Sequence, residues 1–509
     1  MSLNHLYPSS PRHVLAELYL GKSLREIPTP AAVINVAAVR RNCERMLQTC
    51  DRLDLGWRAH VKTHKTVEIT QLQVGKDATR PVSLIVSTLA EAEFLLPMLE
   101  KYKEEGRKVN VLYGLPISQS AIPRLAAVAQ TLGKDSISVL IDDASQLPIM
   151  SGFHALSGVL PHAYIKVDMG GRRAGVQVQS DEFLELADAA LEAHSLNNQI
   201  ILSGLYSHAG HSYGGDSQAA AIEMMHAEVT AMLEGAERLR TRAREKSVTN
   251  LPALVFSAGA SPTSLSIQNM LVAAAAAEEE EEEDEEAEDD EEEEEEEEEE
   301  RGAHKARGNA LRSKVQSLSE LFTSVRQKGY ALEIHAGVYP TLDLQQLATH
   351  SISTRKLSWR DVALTVLAEV HSTYPRRGAH GSDEALIGAG VLALAKEPCK
   401  AYEGMAMLTP WNRTGVAQPT CEVEDFRGWV VGRCSQEHGI LTWRSGNPEI
   451  ITKFTGQDEE VPRVGDKVRL WPNHACITGS QFGWYFVVDE EREGAEDEIA
   501  DIWVRGRGW

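Results

Sequence analysis

The sequence lacks most of what would mark a secreted, membrane-spanning or nucleic-acid-binding chain. It holds only six cysteines in 509 residues (Cys43, Cys50, Cys399, Cys421, Cys434 and Cys476), and none forms a C-x-x-C pair. So low a density excludes a disulfide framework and favours a reducing compartment. No stretch of about 18 consecutive apolar residues occurs, so no helical membrane span is expected. Residues 1–24 show no basic segment followed by an apolar run, and the last residues form no peroxisomal address, so a cytoplasmic location is expected. Basic residues are outnumbered, with 51 Lys and Arg against 75 Asp and Glu. No basic stripe tracks a phosphate backbone, so neither nucleic acid nor a membrane is expected as a partner.

The formal charge of −24 has a local origin. Every residue of 278–300 is Asp or Glu except Ala287. Without that run the chain is close to neutral. Such a segment buries no apolar area and its charges repel, which predicts a disordered acidic insertion over 272–315. A solvated surface loop is the simple reading; a docking tail for a basic partner is the sharper one.

Elsewhere, short apolar runs alternate with amphipathic stretches. Strands are expected at 31–36, 57–61, 82–86, 109–113, 138–141, 163–167 and 200–206, each followed by helix-like sequence. Strand and helix in repeated alternation imply a parallel sheet, and over about 300 residues a (β/α)8 barrel of the TIM type closes it. After about residue 350 the texture changes to short strands separated by turn residues, at 362–370, 428–431, 440–443, 467–471 and 484–488. The α/β chain therefore divides into a barrel over 31–348, interrupted by the acidic insertion, and a mostly β domain over 349–509. Residues 1–30 are expected to pack on the β-domain.

Barrel active sites form at the C-terminal ends of the strands. Arg58-Ala59-His60-Val61-Lys62-Thr63-His64-Lys65-Thr66 sits at such an end, where a lysine amine can point into the mouth and attack an aldehyde. Alone, the string reads as an ordinary surface loop. Lys166-Val167-Asp168-Met169-Gly170-Gly171-Arg172-Arg173-Ala174-Gly175 brings glycines and arginines to another strand end. Tyr206, Ser207 and His208 close a third. Ser257-Ala258-Gly259-Ala260-Ser261-Pro262-Thr263 and the Gly337-Val338 stretch are small-residue loops that suit a phosphate. In the β-domain, Pro472-Asn473-His474-Ala475-Cys476 places an imidazole and a thiol two residues apart, on one side if the segment is a strand. Both suit zinc, and two protein ligands would leave positions for water and substrate. From spacing alone, a buried cysteine beside a hydrogen-bonded histidine is the favoured explanation. His208 and His211 read as pocket or structural residues.

Together these strings resemble the eukaryotic D-serine dehydratase and D-threonine aldolase group, within the alanine-racemase-like fold (fold type III) of pyridoxal 5′-phosphate (PLP) enzymes. The resemblance covers about residues 27–509 apart from 272–315. It implies a Schiff base with PLP on Lys62 and Arg173 near the phenolic oxygen of the cofactor. It places Tyr206 opposite the pyridine nitrogen, and Gly259, Ser261, Thr263, Gly337 and Val338 around the phosphate. It gives His474 and Cys476 as ligands of a Zn²⁺ ion. Val338 departs from the Asn often found in the family, and Gly388 from an Asp. A homodimer is also implied.

The resemblance implies a lyase acting on a small-molecule D-amino acid. Dehydration of D-serine to pyruvate and ammonia is expected first, with Lys62 as base and zinc assisting loss of the β-hydroxyl. Retro-aldol cleavage of D-threonine, action on 3-hydroxyaspartate, and a non-catalytic PLP carrier are the alternatives.

Overall fold

A computed structural model describes residues 10–271, 295–411, 428–444 and 461–509. Eight parallel strands close a barrel in sequence order. They are β2 (Gly56–His60), β3 (Val82–Val86), β4 (Val109–Pro116), β5 (Ile137–Ile141), β6 (His162–Lys166), β7 (Ile201–Tyr206), β8 (Val255–Ala258) and β9 (Ala331–Ala336). β2 pairs with β9 through Gly56 to Ala59, which completes the ring. The (β/α)8 expectation holds.

Side-chain oxygens start the helices that follow. Thr66 accepts from the N–H of Ile69, Thr88 from Glu91, Ser180 from Phe183 and Ser217 from Ala220. Each such cap satisfies a helix donor that would otherwise lack a partner. The turns after β2, β3 and β7 therefore end at defined points, and those turns form the mouth.

A second sheet has nine strands: β1 (Ala31–Asn35), β10 (Leu364–Tyr374), β11 (Glu384–Ile387), β12 (Ala406–Leu408), β13 (Gly428–Cys434), β14 (Gly439–Arg444), β15 (Lys467–Pro472), β16 (Trp484–Val488) and β17 (Asp501–Val504). Their order is β11-β14-β13-β12-β15-β10-β1-β16-β17. The strand expected at 31–36 exists but does not belong to the barrel. It lies antiparallel to β10 and parallel to β16. All five of its residues are buried. A short apolar run carries no sign of which sheet will bury it. The barrel strands thus begin at Gly56, later than the expected boundary. The first described residues pack on this sheet: Arg12 pairs with Asp501 at 2.6 Å, and the Leu24 N–H donates to Asp497 O.

Residues 272–294 of the acidic insertion, and Cys421, lie outside the described residues. From residue 295 the chain is helical, through Glu295–Gln327. The expected disorder up to 315 is therefore corrected. Glu, Ala, Arg and Lys are strong helix formers, and Val315, Leu318, Phe322 and Val325 are buried on one side. The five described cysteines are free thiols. Among the described residues, no helix is long and apolar enough to cross a membrane.

The barrel interior carries a buried polar column. Arg58 Nε donates to Glu333 Oε1 at 2.7 Å, and its Nη1 to Asn110 Oδ1 at 2.7 Å. Ser257 Oγ donates to the same Glu333 oxygen at 2.8 Å and meets His335 Nδ1 at 3.0 Å. Removing one member of a buried pair strands the other charge. Arg58→Leu is expected to cost about 3–5 kcal/mol, read as an earlier midpoint in urea unfolding. An unchanged midpoint would show that this pair does not stabilise the barrel.

Candidate active site

The turn after β2 carries two lysines, and the structure separates their roles. Lys65 Nζ lies 2.9 Å from the buried Glu91 carboxylate. Among the described residues, no hydrogen bond or ion pair is formed by the Lys62 amine. Its Cε lies 3.3 Å from where a Cβ on Gly337 would stand, so a side chain at 337 would crowd it. The turn itself is fixed by the Lys65 N–H donating to Val61 O at 2.9 Å. His64 joins Gln73 Oε1 at 2.9 Å, and burial holds its imidazole neutral, at about 3.

Three more imidazoles feel the charge of Lys62: His60, His208 and His335. Burial is the main reason that all three sit well below the ordinary histidine value, with Lys62 adding to it. His208 Nδ1 lies 2.7 Å from Gly259 O. His335 stacks on Tyr206 with ring centres 4.4 Å apart. Burial raises the Tyr206 phenol, so it stays protonated. Lys166 Nζ stands 4.8 Å from the Tyr206 ring centre. Burial, reinforced by Arg173, lowers Lys166 to about 8. Arg173 sits on an exposed loop, with Nη1 3.9 Å from where a Gly210 Cβ would be. That loop is pinned at its base: the Val176 N–H donates to Lys166 O, and the Asp168 N–H to Val176 O.

The two expected phosphate loops meet. Gly259 has φ +145°, and a Cβ there would stand 2.2 Å from His335 O, so only glycine fits. Ser261 Oγ accepts from the Val338 N–H at 3.2 Å. Thr263 Oγ1 accepts from the Ala260 N–H at 2.9 Å and donates to Glu228 Oε2 at 3.0 Å. The Thr263 hydroxyl and the Val338 N–H, both expected to face a phosphate, are thus engaged in holding these loops together.

His474 and Cys476 do not lie on a strand. β15 ends at Pro472, and Ala475–Ser480 is a short helix with His474 just before it. They nevertheless come together, and His474 hydrogen-bonds to the Cys476 sulfur. Burial alone would raise the Cys476 thiol; the His474 hydrogen bond and the charge of Lys62 bring it below its ordinary value. Burial alone would lower His474; Cys476, Asp343 and Glu397 raise it to about 9. Each group therefore favours the charged form of the other. Cys476 Sγ is 3.1 Å from Thr63 Oγ1, next to Lys62 in sequence, so the β-domain motif reaches the lysine turn. Among the described residues, no group of three or more His, Cys, Asp or Glu converges on a metal position. His474 Nδ1 is buried without a hydrogen-bond partner and lies 3.6 Å from Glu397 Oε2.

Three residues that the sequence motifs did not single out build this arrangement. Asp343 Oδ2 accepts from the Ala475 N–H at 2.8 Å, and burial raises its carboxyl to about 6. Arg505 donates to His64 O at 3.0 Å, to Thr63 O at 3.3 Å, and to Gly479 O. Glu228, on helix Gln218–Glu245, joins the turns after β7 and β8. Nothing local in the sequence distinguishes these side chains from surface charges.

A parallel barrel with a lysine at a strand end, joined to an antiparallel sheet, is the alanine-racemase-like arrangement. The alanine racemase N-terminal domain matches residues 34–273, and a putative serine dehydratase domain matches residues 363–488. A D-serine dehydratase of Schizosaccharomyces pombe is 32% identical over 99% of this chain and 98% of its own length. One from Saccharomyces cerevisiae is 30% identical over 96% and 98%. The chain belongs to the D-serine dehydratase family. The solved D-threo-3-hydroxyaspartate dehydratase from Delftia sp. HT23 shares the fold, with TM-score 0.65 at 24% identity, covering 96% of this chain and 100% of that one. Another solved form of that dehydratase, with the same figures, is a cysteine-to-alanine mutant described as metal-free.

Arg505→Ala leaves buried carbonyls on two turns without a donor, at about 1–3 kcal/mol for each group left unpaired. Amide exchange is expected to speed up together in the Thr63–His64 turn and in the Ala475–Ser480 helix. Faster exchange in one alone would mean that Arg505 does not couple them.

Proposed function

We propose that this chain is a PLP- and zinc-dependent dehydratase that converts D-serine to pyruvate and ammonia. Near-full-length similarity to two D-serine dehydratases supports the substrate. The observation that carries the chemistry is the Lys62 amine, without a partner among the described residues at a strand end, with the Cys476 thiol one residue's reach away at Thr63. The unpartnered amine and the small-residue cradle at Gly337 fit a carbonyl-bearing cofactor. The orphaned His474 nitrogen beside a thiol of lowered pKa fits a metal.

When bound, PLP supplies an electron sink for charge developing at the α-carbon. Lys62 holds the cofactor and moves the α-proton. Tyr206, kept protonated by burial, would meet the cofactor ring as a neutral partner. Arg173 would lend the cofactor a positive charge. Gly259, Ser261, Thr263, Gly337 and Val338 shape the phosphate end, with Thr263 and Val338 acting through the loop contacts described. His474 and Cys476 hold a zinc ion, whose Lewis acidity would assist departure of the β-hydroxyl. Two protein ligands leave room for that oxygen.

The cytoplasmic location is part of the same proposal, supported by the low cysteine content. So is a homodimer, which light scattering on the purified chain checks.

Lys62→Ala is expected to lower pyruvate formation from D-serine at least about a hundredfold, the scale of a lost general base. It should also remove the visible absorbance of the bound cofactor. Retained absorbance would assign the cofactor to another lysine. Cys476→Ala is expected to lose bound zinc by elemental analysis and most pyruvate formation, while the cofactor absorbance remains. Full activity in a zinc-free protein would overturn the metal assignment. Faster release of glycine from D-threonine than of pyruvate from D-serine would favour the aldolase reaction.

A further inference from the structure

Glu228 is fully buried on the helix that runs between β7 and β8, and none of the cofactor or metal roles above uses it. Its Oε1 accepts from Ser207 Oγ at 3.0 Å and from the Ala209 N–H at 2.9 Å. Its Oε2 accepts from Thr263 Oγ1 at 3.0 Å, and the Gly259 backbone also bonds to the carboxylate. Two of these donors belong to the turn that follows Tyr206 and carries His208. The other two belong to the loop assigned to the phosphate. One carboxylate therefore bridges the two turns from behind.

We propose that Glu228 is a positioning residue that fixes the separation of the Tyr206–Ala209 turn and the Gly259–Thr263 loop, and so sets the preference for a phosphorylated cofactor. This rests on the assignment of PLP to this mouth. Geometry requires both oxygens. A carboxylate offers about four lone-pair sites and no donor, which matches four converging donors. Burial raises the group to about 7, while the bonds from Ser207, Thr263, Ala209 and Gly259 pull the other way. Lys166 and Tyr206, at the ends of β6 and β7, are titratable groups that feel its charge. The backbone donors of Ala209 and Gly259 cannot reverse their polarity, whereas the hydroxyls of Ser207 and Thr263 can. An amide at 228 would therefore turn its NH₂ toward one turn and lose a backbone bond there.

The test compares PLP with pyridoxal, which lacks the phosphate, on the full chain stripped of cofactor. Dissociation constants are read from the visible absorbance. The wild type is expected to favour PLP. Glu228→Gln is expected to cut that preference at least about tenfold, the scale of a small misplacement of a binding group, and to leave pyridoxal affinity within about threefold. Glu228→Asp keeps the charge but shortens the bridge, and should cut the preference similarly. It decides the matter if the Gln variant does not fold. A merely structural role would lower both affinities together, and that result, or an unchanged preference in both variants, overturns the proposal. A wild type with no preference for the phosphate would overturn the cofactor assignment itself, and the proposal with it.

Discussion

A single buried guanidinium fixes the distance between the two halves of this active site. Arg505 follows the last strand of the β-domain, yet it points into the turn that carries Lys62. Its planar fork donates to Thr63 O and His64 O on one side and to Gly479 O on the other. A lysine, with a point charge on a flexible stem, could not hold three carbonyls in fixed directions. The next residue repeats the tie, the Gly506 N–H donating to Lys65 O at 2.7 Å. Lys62 and Cys476 sit on the two segments so joined. The proposed reaction, with a base on one and a metal on the other, would depend on this contact.

The electrostatics of the mouth have one direction. Lys62, Lys166 and Arg173 bring positive charge, while burial keeps His60, His208 and His335 from adding to it. Two buried carboxyls at the site, Glu228 and Asp343, are both pushed up by burial and held by donors. The three cationic groups favour an anionic phosphate or the carboxylate of an amino acid. Neutral imidazoles also remain acceptors, so the amine of Lys62 is not surrounded by competing acids.

The barrel and its order of strands were legible because alternation of strand and helix is a periodic signal. The Lys62, Arg173 and His474–Cys476 strings drew attention through their places at strand ends and their resemblance to a family; spacing alone did not single them out. What the spacing of His474 and Cys476 did not show was their backbone: a helix start, with Asp343 from the barrel capping it. Thr263 looked like a phosphate donor because its hydroxyl lies in a small-residue loop; only the fold reveals Glu228 behind it. Glu228 and Arg505 were invisible for the same reason. Each acts through partners far away in sequence, and an isolated Glu in a helix or Arg near a terminus has the pattern of a surface charge. The stretch 295–315 read as disorder because the charge of the run leading into it was weighed over its own helix propensity.

The place of β1 has a consequence for how the chain is made. Its neighbours in the sheet are β10 and β16, and the latter comes from the far end of the polypeptide. During synthesis the first apolar strand emerges long before either partner exists. Pairings of such long sequence separation form slowly, because loop-closure entropy must be met first. Successive barrel strands, adjacent in order, have no such wait, until β9 arrives to close the ring on β2. The nascent chain therefore carries an unpaired hydrophobic edge through most of its translation, and the active site, which needs both sheets in register, assembles last.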